Sequence, residues 1–384
     1  MREKLTLKYY GRQGEHHGNP ELTGENFQEI LRFYKGKRVL ITGHTGFKGS
    51  WLSRILMNAG ADVAGFSKEP PTQPSLFDIC GFDTEMRHTI GDVRNYEQLK
   101  AVFDAFKPEL VFHLAAQPIV RESYRDPVGT YGTNVMGTVH ICECVRRCDS
   151  VRSFLNVTTD KVYHNNEWEW GYRETDPLDG YDPYSNSKSC SELVTHSYIH
   201  SFFKEAGIAV STARAGNVIG GGDFASDRII PDCVRAVQKG EDIIVRNPYS
   251  TRPYQHVLEP LFAYLMIAGT QYENPSASGY YNVGPDECDC VTTGELVELF
   301  CHQWNEVSGQ DVHWVNKSDG GPHEANFLKL DCARIKSVFG WHPRWHVSEA
   351  VRKTAEWSQV YLTDPADRTT ITGCMDNQIK EYAG

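Results

Sequence analysis

The sequence predicts an α/β fold in which a doubly wound parallel sheet is followed by a smaller mixed domain. From Lys37 onward, short β-branched runs alternate with helical stretches that are long enough to cross from one parallel strand to the next. After Ala213 the chain becomes richer in Gly, Pro and short elements, which indicates a second, less regular domain. At 384 residues, 40% of them hydrophobic, the chain is long enough for two domains that share a cleft.

Local runs of residues predict each element of the two domains. β-branched and apolar runs predict strands over Arg38–Thr42, Asp62–Phe66, Leu110–Leu114, Ser153–Val157 and Ile208–Ala213. The segments between them predict helices over Ser50–Ala59, Tyr96–Phe106, Val128–Arg147 and Ser187–Lys204. In the second domain, helices are predicted over Leu258–Gly269, Thr293–Trp304 and Ser348–Leu362.

These elements divide the chain into three regions. Residues 1–34 are polar and weakly periodic, so we expect an appended arm with one short helix near Phe27–Phe33. Residues 35–213 are predicted to form the domain of the parallel sheet. Residues 214–384 are assigned mainly to the second domain, with some segments interleaved with the sheet.

Composition argues against several kinds of partner. The formal net charge of −11 gives no electrostatic reason to expect nucleic acid or an anionic membrane as a partner. No apolar run approaches the roughly 20 residues of a membrane-spanning helix, and the polar N-terminus does not resemble a secretory signal, so a cytoplasmic protein is expected. The 11 cysteines include close groups such as Cys288 and Cys290, but these lack zinc-ligand spacing and a matching His pair. No metal site is therefore expected.

A glycine-rich turn joins the first predicted strand to the first predicted helix. The turn is Gly43-His44-Thr45-Gly46-Phe47-Lys48-Gly49. Glycines at these spacings allow a tight turn, close approach of a pyrophosphate to the backbone, and close packing of helix on strand, while the helix N-terminus supplies amide donors for the anion. A lone glycine pattern is often only a turn, but its place between the first strand and first helix predicts a dinucleotide site.

Tyr184 and Lys188 form a YxxxK pair on a predicted helix. Residues four apart share a helix face, so the Lys188 ammonium is expected beside the Tyr184 phenol. An unperturbed phenol titrates near ~10, so a positive neighbour is needed to lower its pKa before it serves as a base at neutral pH. The pair therefore predicts a general base and its cationic partner.

Thr159, Asp160 and Lys161 directly follow the strand that ends near Val157. A hydroxyl there is able to align a reacting alcohol with Tyr184, whereas a following carboxyl is able to protonate a leaving group. Asp160 also has an ordinary alternative, because Asp often caps a turn after a strand. The pattern favours an acid for elimination.

Together these motifs resemble those of the extended short-chain dehydrogenases, which have a Rossmann fold. Long strings from about residue 36 to residue 360 resemble the nucleotide-sugar 4,6-dehydratases of that family, in particular the branch that acts on CDP-glucose. They include GKRVLITGHTGFKGSWL, WEWGYRE followed by GYDPYSNSK, RAGNVIGGGD and RNPYSTRPYQHVLEPL. The N-terminal arm and the last twenty or so residues lie outside the resemblance.

The resemblance implies NAD as cofactor and assigns residues to its site. Besides Tyr184 and Lys188, the implied cofactor-binding residues are Gly43, His44, Gly46, Phe47, Lys48, Gly49, Asp92, Val93, Leu114, Ala115, Ala116, Gln117 and Asn134. Asp92 matches the family's contact with the adenine amino group. The second strand ends in Ser67-Lys68 without the usual ribose-binding carboxylate. The preference for NAD over NADP is therefore implied by the resemblance.

The resemblance also implies the substrate and the reaction. CDP-glucose would be oxidised at C4, lose water across C5 and C6, and regain the hydride at C6, with Asn217, Arg228 and Arg252 at the nucleotide and diphosphate. Lys161 stands where a related branch has a Glu base; it acts either as a neutral amine base or as a cation that stabilises the enolate. A homodimer or homotetramer is implied, with the segment 187–204 as a candidate interface.

Three alternative functions remain from the sequence. A nucleotide-sugar 4-epimerase of the same fold would have no use for Asp160. A dehydratase for another nucleotide hexose would share every catalytic residue. A silent NAD-sensing module is disfavoured because Thr159, Tyr184 and Lys188 are all present.

Overall fold

The computed structural model describes residues 27–317 and 328–384. Its strands are β1 Arg38–Thr42, β2 Asp62–Ser67, β3 Arg87–Ile90, β4 Leu110–His113, β5 Ser153–Thr159, β6 Ala209–Ala215, β7 Val218–Ile219, β8 Ile243–Val245, β9 Thr251–Pro253, β10 Gln255–His256, β11 Tyr280–Val283, β12 Cys290–Thr292 and β13 Trp314–Asn316. Its α-helices are α1 Phe27–Tyr34, α2 Phe47–Asn58, α3 Leu76–Cys80, α4 Tyr96–Phe106, α5 Val120–Arg125, α6 Pro127–Tyr131, α7 Gly137–Arg146, α8 Pro183–Tyr198, α9 Lys204–Ala206, α10 Ile229–Lys239, α11 Leu258–Glu273, α12 Thr293–Ser308, α13 Ala333–Phe339, α14 Val347–Thr363 and α15 Arg368–Ala383.

The central sheet has seven strands in the order β11-β6-β5-β4-β1-β2-β3, and every pair in it is parallel. The chain starts in the middle at β1, runs outward through β2 and β3, and returns to the other side at β4. This reversal opens a crevice at the carboxyl ends of β1 and β4, where ligands bind in open α/β sheets. The predicted doubly wound Rossmann fold is confirmed.

Two hydrophobic cores cover the two faces of the sheet. One face is packed by α4 and α7, with Phe103 and Ile141 buried. The other is packed by α2 and α11, and α11 is buried nearly all round because α1 covers its outer side. In α1, Phe27, Ile30 and Tyr34 are buried at helical spacing, so the short helix predicted in the arm exists and is part of the core. Residues 1–26 of that arm lie outside the described residues.

The second half of the chain builds its own smaller core around Phe300, Trp304 and Val351. Three two-stranded pairs, β10 with β7, β12 with β9 and β13 with β8, belong to this half. However, α11 packs on the central sheet and β11 extends it, so the two halves of the chain share the sheet. The domain boundaries themselves stay a prediction.

Two predicted helices differ from the structure in their bounds. The stretch Val128–Arg147 contains a π-helical turn at Gly132–Met136 between α6 and α7. The helix predicted from Ser187 begins four residues earlier at Pro183, because Asp182 accepts a hydrogen bond from the Ser185 amide and Pro is favoured in the first turn. This earlier start places Tyr184 on the helix itself. Within the two described segments, no helix combines the length and apolar character needed to cross a membrane.

Candidate active site

The glycine turn between β1 and α2 is shaped by contacts that only glycine permits. Gly43 has a φ of 81°, and a Cβ on it would lie 2.7 Å from the Ala115 amide nitrogen. A Cβ on Gly49 would lie 2.1 Å from the Gly43 carbonyl oxygen, whereas one on Gly46 would meet nothing closer than 3.4 Å. Gly43 and Gly49 thus allow close backbone packing, and Gly46 leaves the outer side of the turn open. This cradle fits the pyrophosphate of a dinucleotide.

The loop after β4, which contains Leu114, Ala115 and Ala116, is held against α8 by Asn134. The Asn134 Oδ1 accepts a hydrogen bond from the Gln117 amide at 2.9 Å, and its Nδ2 donates to the Gln117 carbonyl at 3.1 Å and to Ser187 Oγ at 2.9 Å. Asn134 therefore positions the small-residue loop. A direct contact of its side chain with a cofactor stays a prediction.

His44 and Phe47 pack inside the turn. The His44 ring is buried, meets the edge of Phe77 at 5.2 Å, and has no hydrogen-bond partner on either nitrogen among the residues described. Burial, reinforced by His88, lowers the pKa of His44 to about 3, so the ring is neutral. The Phe47 ring lies against Gly220, where a Cβ would come within 3.1 Å of it. Both side chains support the turn.

Asp92 and Val93 follow β3, near the predicted adenine position. Burial raises the pKa of Asp92, but hydrogen bonds from Arg94 and the nearby Lys68 outweigh it and hold the pKa at about 2. The Asp92 carboxylate receives two bonds from the Arg94 guanidinium, at 2.9 and 2.6 Å, and lies 3.5 Å from the Lys68 ammonium. Val93 is buried against Gly137. The adenine contact stays a prediction.

Tyr184 lies in the first turn of α8 and is buried beside the end of β5. Burial raises the pKa of Tyr184 to about 12, a hydrogen bond with Thr159 opposes this rise, Asp160 adds to it and Arg228 opposes it. The Tyr–Thr pair predicted from sequence is therefore in contact. A phenol in this setting acts as a base at neutral pH only with further positive charge nearby.

Lys188 lies one helical turn after Tyr184 and is only 5% exposed. Its Nζ donates a hydrogen bond to the Val157 carbonyl at 3.1 Å. Burial lowers the pKa of Lys188 to about 8, and the carboxylate of Glu192 opposes that fall. The lysine is thus held at the end of β5, with its charge supported from its own helix.

Asp160 and Lys161 form a bonded pair at the carboxyl end of β5. Asp160 Oδ1 accepts hydrogen bonds from Thr159 Oγ1 at 2.9 Å and from Lys161 Nζ at 3.2 Å, and Lys161 Nζ also lies 3.3 Å from Asn217 Oδ1. Asp160 is fully buried, and its Oδ2, next to Gly216, has no hydrogen-bond partner in the part of the chain that the structure describes. One carboxyl oxygen therefore has no partner among the described residues, which fits a hydrogen bond to a bound ligand.

Lys48 extends from the glycine turn toward the predicted catalytic residues. Sequence reasoning did not predict this placement. Burial lowers the pKa of Lys48 to about 7; Arg228, Lys188 and Lys161 lower it further and Asp160 raises it. The residue predicted only as a cofactor contact therefore shares its electrostatic environment with the substrate side of the cleft.

Of the predicted nucleotide-binding arginines, Arg228 precedes α10 and donates to Asp223 Oδ2 at 2.8 Å. Arg252 lies on β9, is buried, and donates to the Thr251 carbonyl at 3.1 Å. Arg228 is close enough to act on both Tyr184 and Lys48. His323 and Glu324, which fall in family motifs without an assigned role, lie outside the described residues.

A group of potential metal ligands in the second domain was not predicted. Cys288, Asp289 and His346 bring one ligand atom each within 4.8 Å of one another. The two Asp289 oxygens are engaged by the His346 ring at 2.9 Å and by the Val347 amide at 2.9 Å, at the start of α14. The carboxylate therefore serves as a cap for this helix.

One turn beyond Lys188, between α8 and the sheet, the structure brings together two buried charges that sequence reasoning did not select. Glu192 is bonded to Arg214 of β6, with side chains 1% and 2% exposed. Glu192 follows Lys188 by four residues, so the signal that was available is their shared helix face. Arg214 ends a strand that is otherwise apolar or small.

Comparisons with known proteins agree with this geometry. A family model described as GDP-mannose 4,6 dehydratase matches residues 40–354. The chain is 48% identical over 356 residues to a CDP-glucose 4,6-dehydratase from Salmonella typhimurium, covering 91% of this chain and 97% of that protein. It is 24% identical to a dTDP-glucose 4,6-dehydratase from Haemophilus influenzae, covering 83% of this chain and 97% of that protein.

Solved structures support the fold. A dTDP-glucose 4,6-dehydratase from Bacillus anthracis in complex with NAD gives a TM-score of 0.70 at 20% identity, covering 84% of this chain and 97% of that one. A UDP-glucose 4-epimerase from Thermotoga maritima with UDP-glucose gives 0.71 at 22%, covering 84% and 98%. With the family model spanning both halves of the cleft, the chain belongs to the GDP-mannose 4,6 dehydratase family.

Proposed function

We propose that the protein is an NAD-dependent hydro-lyase that converts CDP-glucose to CDP-4-dehydro-6-deoxy-glucose and water. The observation that carries this proposal is Asp160, a buried carboxyl bonded to Thr159 on one oxygen and without a partner among the described residues on the other. An oxidation at C4 alone needs Tyr184 and Thr159, whereas elimination also needs an acid for the leaving hydroxyl. The CDP-glucose assignment rests on the 48% identity to the Salmonella enzyme.

The cofactor site fits a dinucleotide at the glycine turn. Gly43, Gly46 and Gly49 would cradle the pyrophosphate, and the Leu114–Gln117 loop and Lys188 would lie along the nicotinamide half. When bound, NAD supplies the acceptor for the C4 hydride and the donor that returns it to C6. Lys68, just after β2, is exposed and lies 3.5 Å from Asp92, so the preference for NAD over NADP rests on the resemblance.

In the oxidation half-reaction, Tyr184 takes the proton from the C4 hydroxyl. Thr159 is hydrogen-bonded to Tyr184 and holds that hydroxyl in line. Because burial raises the pKa of Tyr184, positive charge from Lys188, Arg228 and the bound cofactor is needed to favour the phenolate. The product of this step is a C4 ketone.

The ketone acidifies the C5 hydrogen, and the Asp160–Lys161 pair performs the elimination. Asp160 gives its proton to the leaving C6 hydroxyl, which departs as water. Lys161, whose Nζ lies 3.2 Å from Asp160 Oδ1, acts either as the base that takes the C5 proton or as a cation that stabilises the enolate. The group that took the C5 proton returns it to C5 when C6 is reduced.

Thr159 is placed to return the catalytic residues to their starting protonation states. After one turnover, Tyr184 has gained the C4 hydroxyl proton and Asp160 has lost one. Thr159 is hydrogen-bonded to both residues, so its hydroxyl is in position to pass the proton from Tyr184 to Asp160 and restore the starting state.

Cationic side chains would hold the diphosphate of the substrate. The whole chain is acidic, yet Lys48 and Arg228 lie among the charged groups of the cleft, and the resemblance implies that Arg252 joins them; guanidinium groups bind phosphate with two parallel hydrogen bonds. Asn217, bonded to Lys161, would place the sugar end near the catalytic pair.

The test is product formation from four nucleotide sugars. The purified protein is incubated with CDP-, UDP-, GDP- and dTDP-glucose, with and without added NAD, and the alkali-induced absorbance of a 4-keto-6-deoxy sugar is followed. Product from CDP-glucose alone is expected. Product from another nucleotide would replace the substrate assignment, and no product from any would reject the reaction.

We also propose that the protein is a cytoplasmic homodimer or homotetramer that pairs through the helices around α8. Large apolar side chains are exposed on this side, including Val128, Met136, Leu193 and Phe202. A Leu193→Asp variant is expected to sediment as a smaller species than the unmodified protein, whereas Leu193→Met keeps its state. An unchanged sedimentation coefficient in both variants would contradict this interface.

A further inference from the structure

A closed polar network lies between the catalytic helix α8 and strands β5 and β6, one turn beyond Lys188. Glu192 Oε2 accepts hydrogen bonds from Thr212 Oγ1 at 2.7 Å and from Arg214 Nη2 at 3.0 Å, while its Oε1 accepts from Thr158 Oγ1 and from Arg214 Nε at 3.0 Å. Thr158 belongs to β5, and Thr212 and Arg214 belong to β6. One carboxylate therefore pins α8 to two neighbouring strands.

Arg214 extends the network to the far edge of the sheet. Its Nη1 donates to Tyr163 Oη at 2.8 Å and to the Glu174 carbonyl at 3.1 Å. The Tyr163 hydroxyl in turn donates to Asn282 Oδ1 of β11 at 2.6 Å. Burial lowers the pKa of Arg214, but Glu192 and Tyr163 outweigh it, so the guanidinium stays charged.

We propose that Glu192 is a positioning residue for the reaction: its carboxylate fixes the Tyr184–Lys188 helix against the end of β5 and keeps Lys188 in its ammonium form. The first part rests on Thr158, which is bonded to Glu192 and directly precedes Thr159. The second rests on the position of Glu192 one turn after Lys188 on the same helix. This role rests on the proposed function, because it concerns the same Tyr–Lys pair.

The charges around Lys188 make Glu192 its supporting anion. His113 of β4 is neutral, because burial and Lys188 itself lower its pKa to about 3. Lys48 of α2 is cationic or neutral near pH 7, and its pKa is lowered partly by Lys188. Burial lowers the pKa of Lys188 to about 8, and Glu192 is the residue that raises it. Arg214, which is bonded to Glu192, is not among the groups that shift the pKa of Lys188.

The test compares pH profiles of kcat for Glu192→Gln, Glu192→Asp and the unmodified protein. Loss of the Glu192 charge lowers the pKa of Lys188, so the alkaline limb of the profile is expected to move to lower pH by about one unit in Glu192→Gln. Glu192→Asp keeps the charge and is expected to restore the limb. A matched control, Thr212→Val, removes one hydrogen bond to Glu192 without removing charge and is expected to leave the limb in place.

Glu192→Gln alone leaves Arg214 without its buried partner and could fail to fold, so a second variant is needed. The double variant Glu192→Gln/Arg214→Met leaves no buried charge unpaired and is expected to fold and to show the same shift of the limb. If both Glu192→Gln variants fold and only kcat falls, while the alkaline limb of the pH profile stays in place, Glu192 has only a structural role. That result would overturn the proposal.

A second readout separates this proposal from the proposed reaction. The rate at which acetic anhydride labels Lys188, followed by mass spectrometry across pH without substrate or cofactor, reports the titration of that amine. A midpoint near pH 8 in the unmodified protein and a lower one in the double variant supports the role of Glu192 even if no nucleotide sugar is turned over. Equal midpoints would overturn it.

Discussion

Two charged pairs beside helix α8 hold buried charges in opposite ways. In the rear pair, one turn beyond Lys188 along the helix, both Glu192 oxygens accept hydrogen bonds from Arg214, and the side chains are 1% and 2% exposed. In the cleft in front, Asp160 keeps an oxygen without a partner among the described residues, and Lys161 is 28% exposed. The rear pair is complete without a ligand, and the front pair is not.

This difference separates stability from chemistry. A buried ion pair that loses one member leaves an uncompensated charge, so the rear side is expected to control folding. A carboxyl with a spare oxygen in a cleft is expected to control turnover, because a ligand supplies the missing partner. Substitutions on the two sides therefore test one contrast.

The largest effect is expected from Asp160→Asn. An amide cannot protonate the leaving hydroxyl, so formation of the 4-keto-6-deoxy sugar is expected to fall about 10²- to 10⁴-fold. Oxidation at C4 needs only Tyr184 and Thr159, so absorbance of the reduced cofactor still appears on mixing with CDP-glucose. Asp179→Asn makes the same chemical change at an exposed carboxylate; it is the matched control and is expected to retain activity. Unchanged product with Asp160→Asn, or a C4-epimerised sugar, would favour the 4-epimerase alternative.

The rear side is broken most directly by Arg214→Met. Glu192 would then be a buried carboxylate bonded only to hydroxyls, which is expected to cost about 3–5 kcal/mol of unfolding free energy. Lys161→Met, on the front side, is expected to cost less, because Lys161 is 28% exposed and Asp160, although fully buried, keeps its hydrogen bond from Thr159. Urea midpoints at constant m-value compare the two variants. Equal losses of stability would erase the contrast between the two sides.

A smaller effect is expected at Glu259 of α11, a buried carboxylate whose partners are neutral. Its Oε1 accepts the amides of Arg344 and Trp345, at 3.0 and 2.7 Å, and Tyr382 Oη donates to its Oε2 at 2.6 Å. Burial raises the pKa of Glu259 from 4.5 to about 7, against these hydrogen bonds. The folded state therefore binds this proton more tightly than the unfolded one, so the stabilisation is present below pH 4.5 and is lost as pH rises through 7.

Glu259→Gln removes that pH dependence. As the pH rises from 5 to 8, the unmodified protein is expected to lose about 2 kcal/mol of unfolding free energy that the variant does not lose. Urea unfolding at both pH values measures the difference, and Glu349→Gln, at a partly exposed acid of α14, is the control. Parallel pH curves for the Glu259 variant and the unmodified protein would show that its raised pKa has no thermodynamic consequence.

Sequence patterns predicted the fold where strands are buried and apolar. Strands such as β1 and β5 have buried runs that mark them clearly. The short strand β3 was implied by the position of Asp92 but received no bounds, since its residues are largely exposed. The addition of β11 to the sheet depends on a partner strand some distance away in the chain, which no local pattern encodes. Helix α15 has a weak apolar face and was not predicted.

The residues of the site likewise divide into those that local patterns predict and those that depend on tertiary structure. Tyr184 and Lys188 were recognised from their local spacing and Thr159 from its place after a strand; the structure brings Thr159 into contact with Tyr184, while Lys188 Nζ bonds the Val157 carbonyl. Glu192 and Arg214 come from different elements, so their pairing depends on the sheet register. The reach of Lys48 into the cleft depends on the direction of its side chain in the first turn of α2, which spacing does not give.

The packing of α11 has a consequence for synthesis on the ribosome. Phe27 stacks on Tyr382 with ring centroids 5.5 Å apart, and both cover Phe262. Roughly 100 residues follow α11 before α15 emerges, which takes several seconds at typical translation rates. During that interval the nascent chain carries an uncovered apolar helix surface, so this corner is where a molecular chaperone would be needed most.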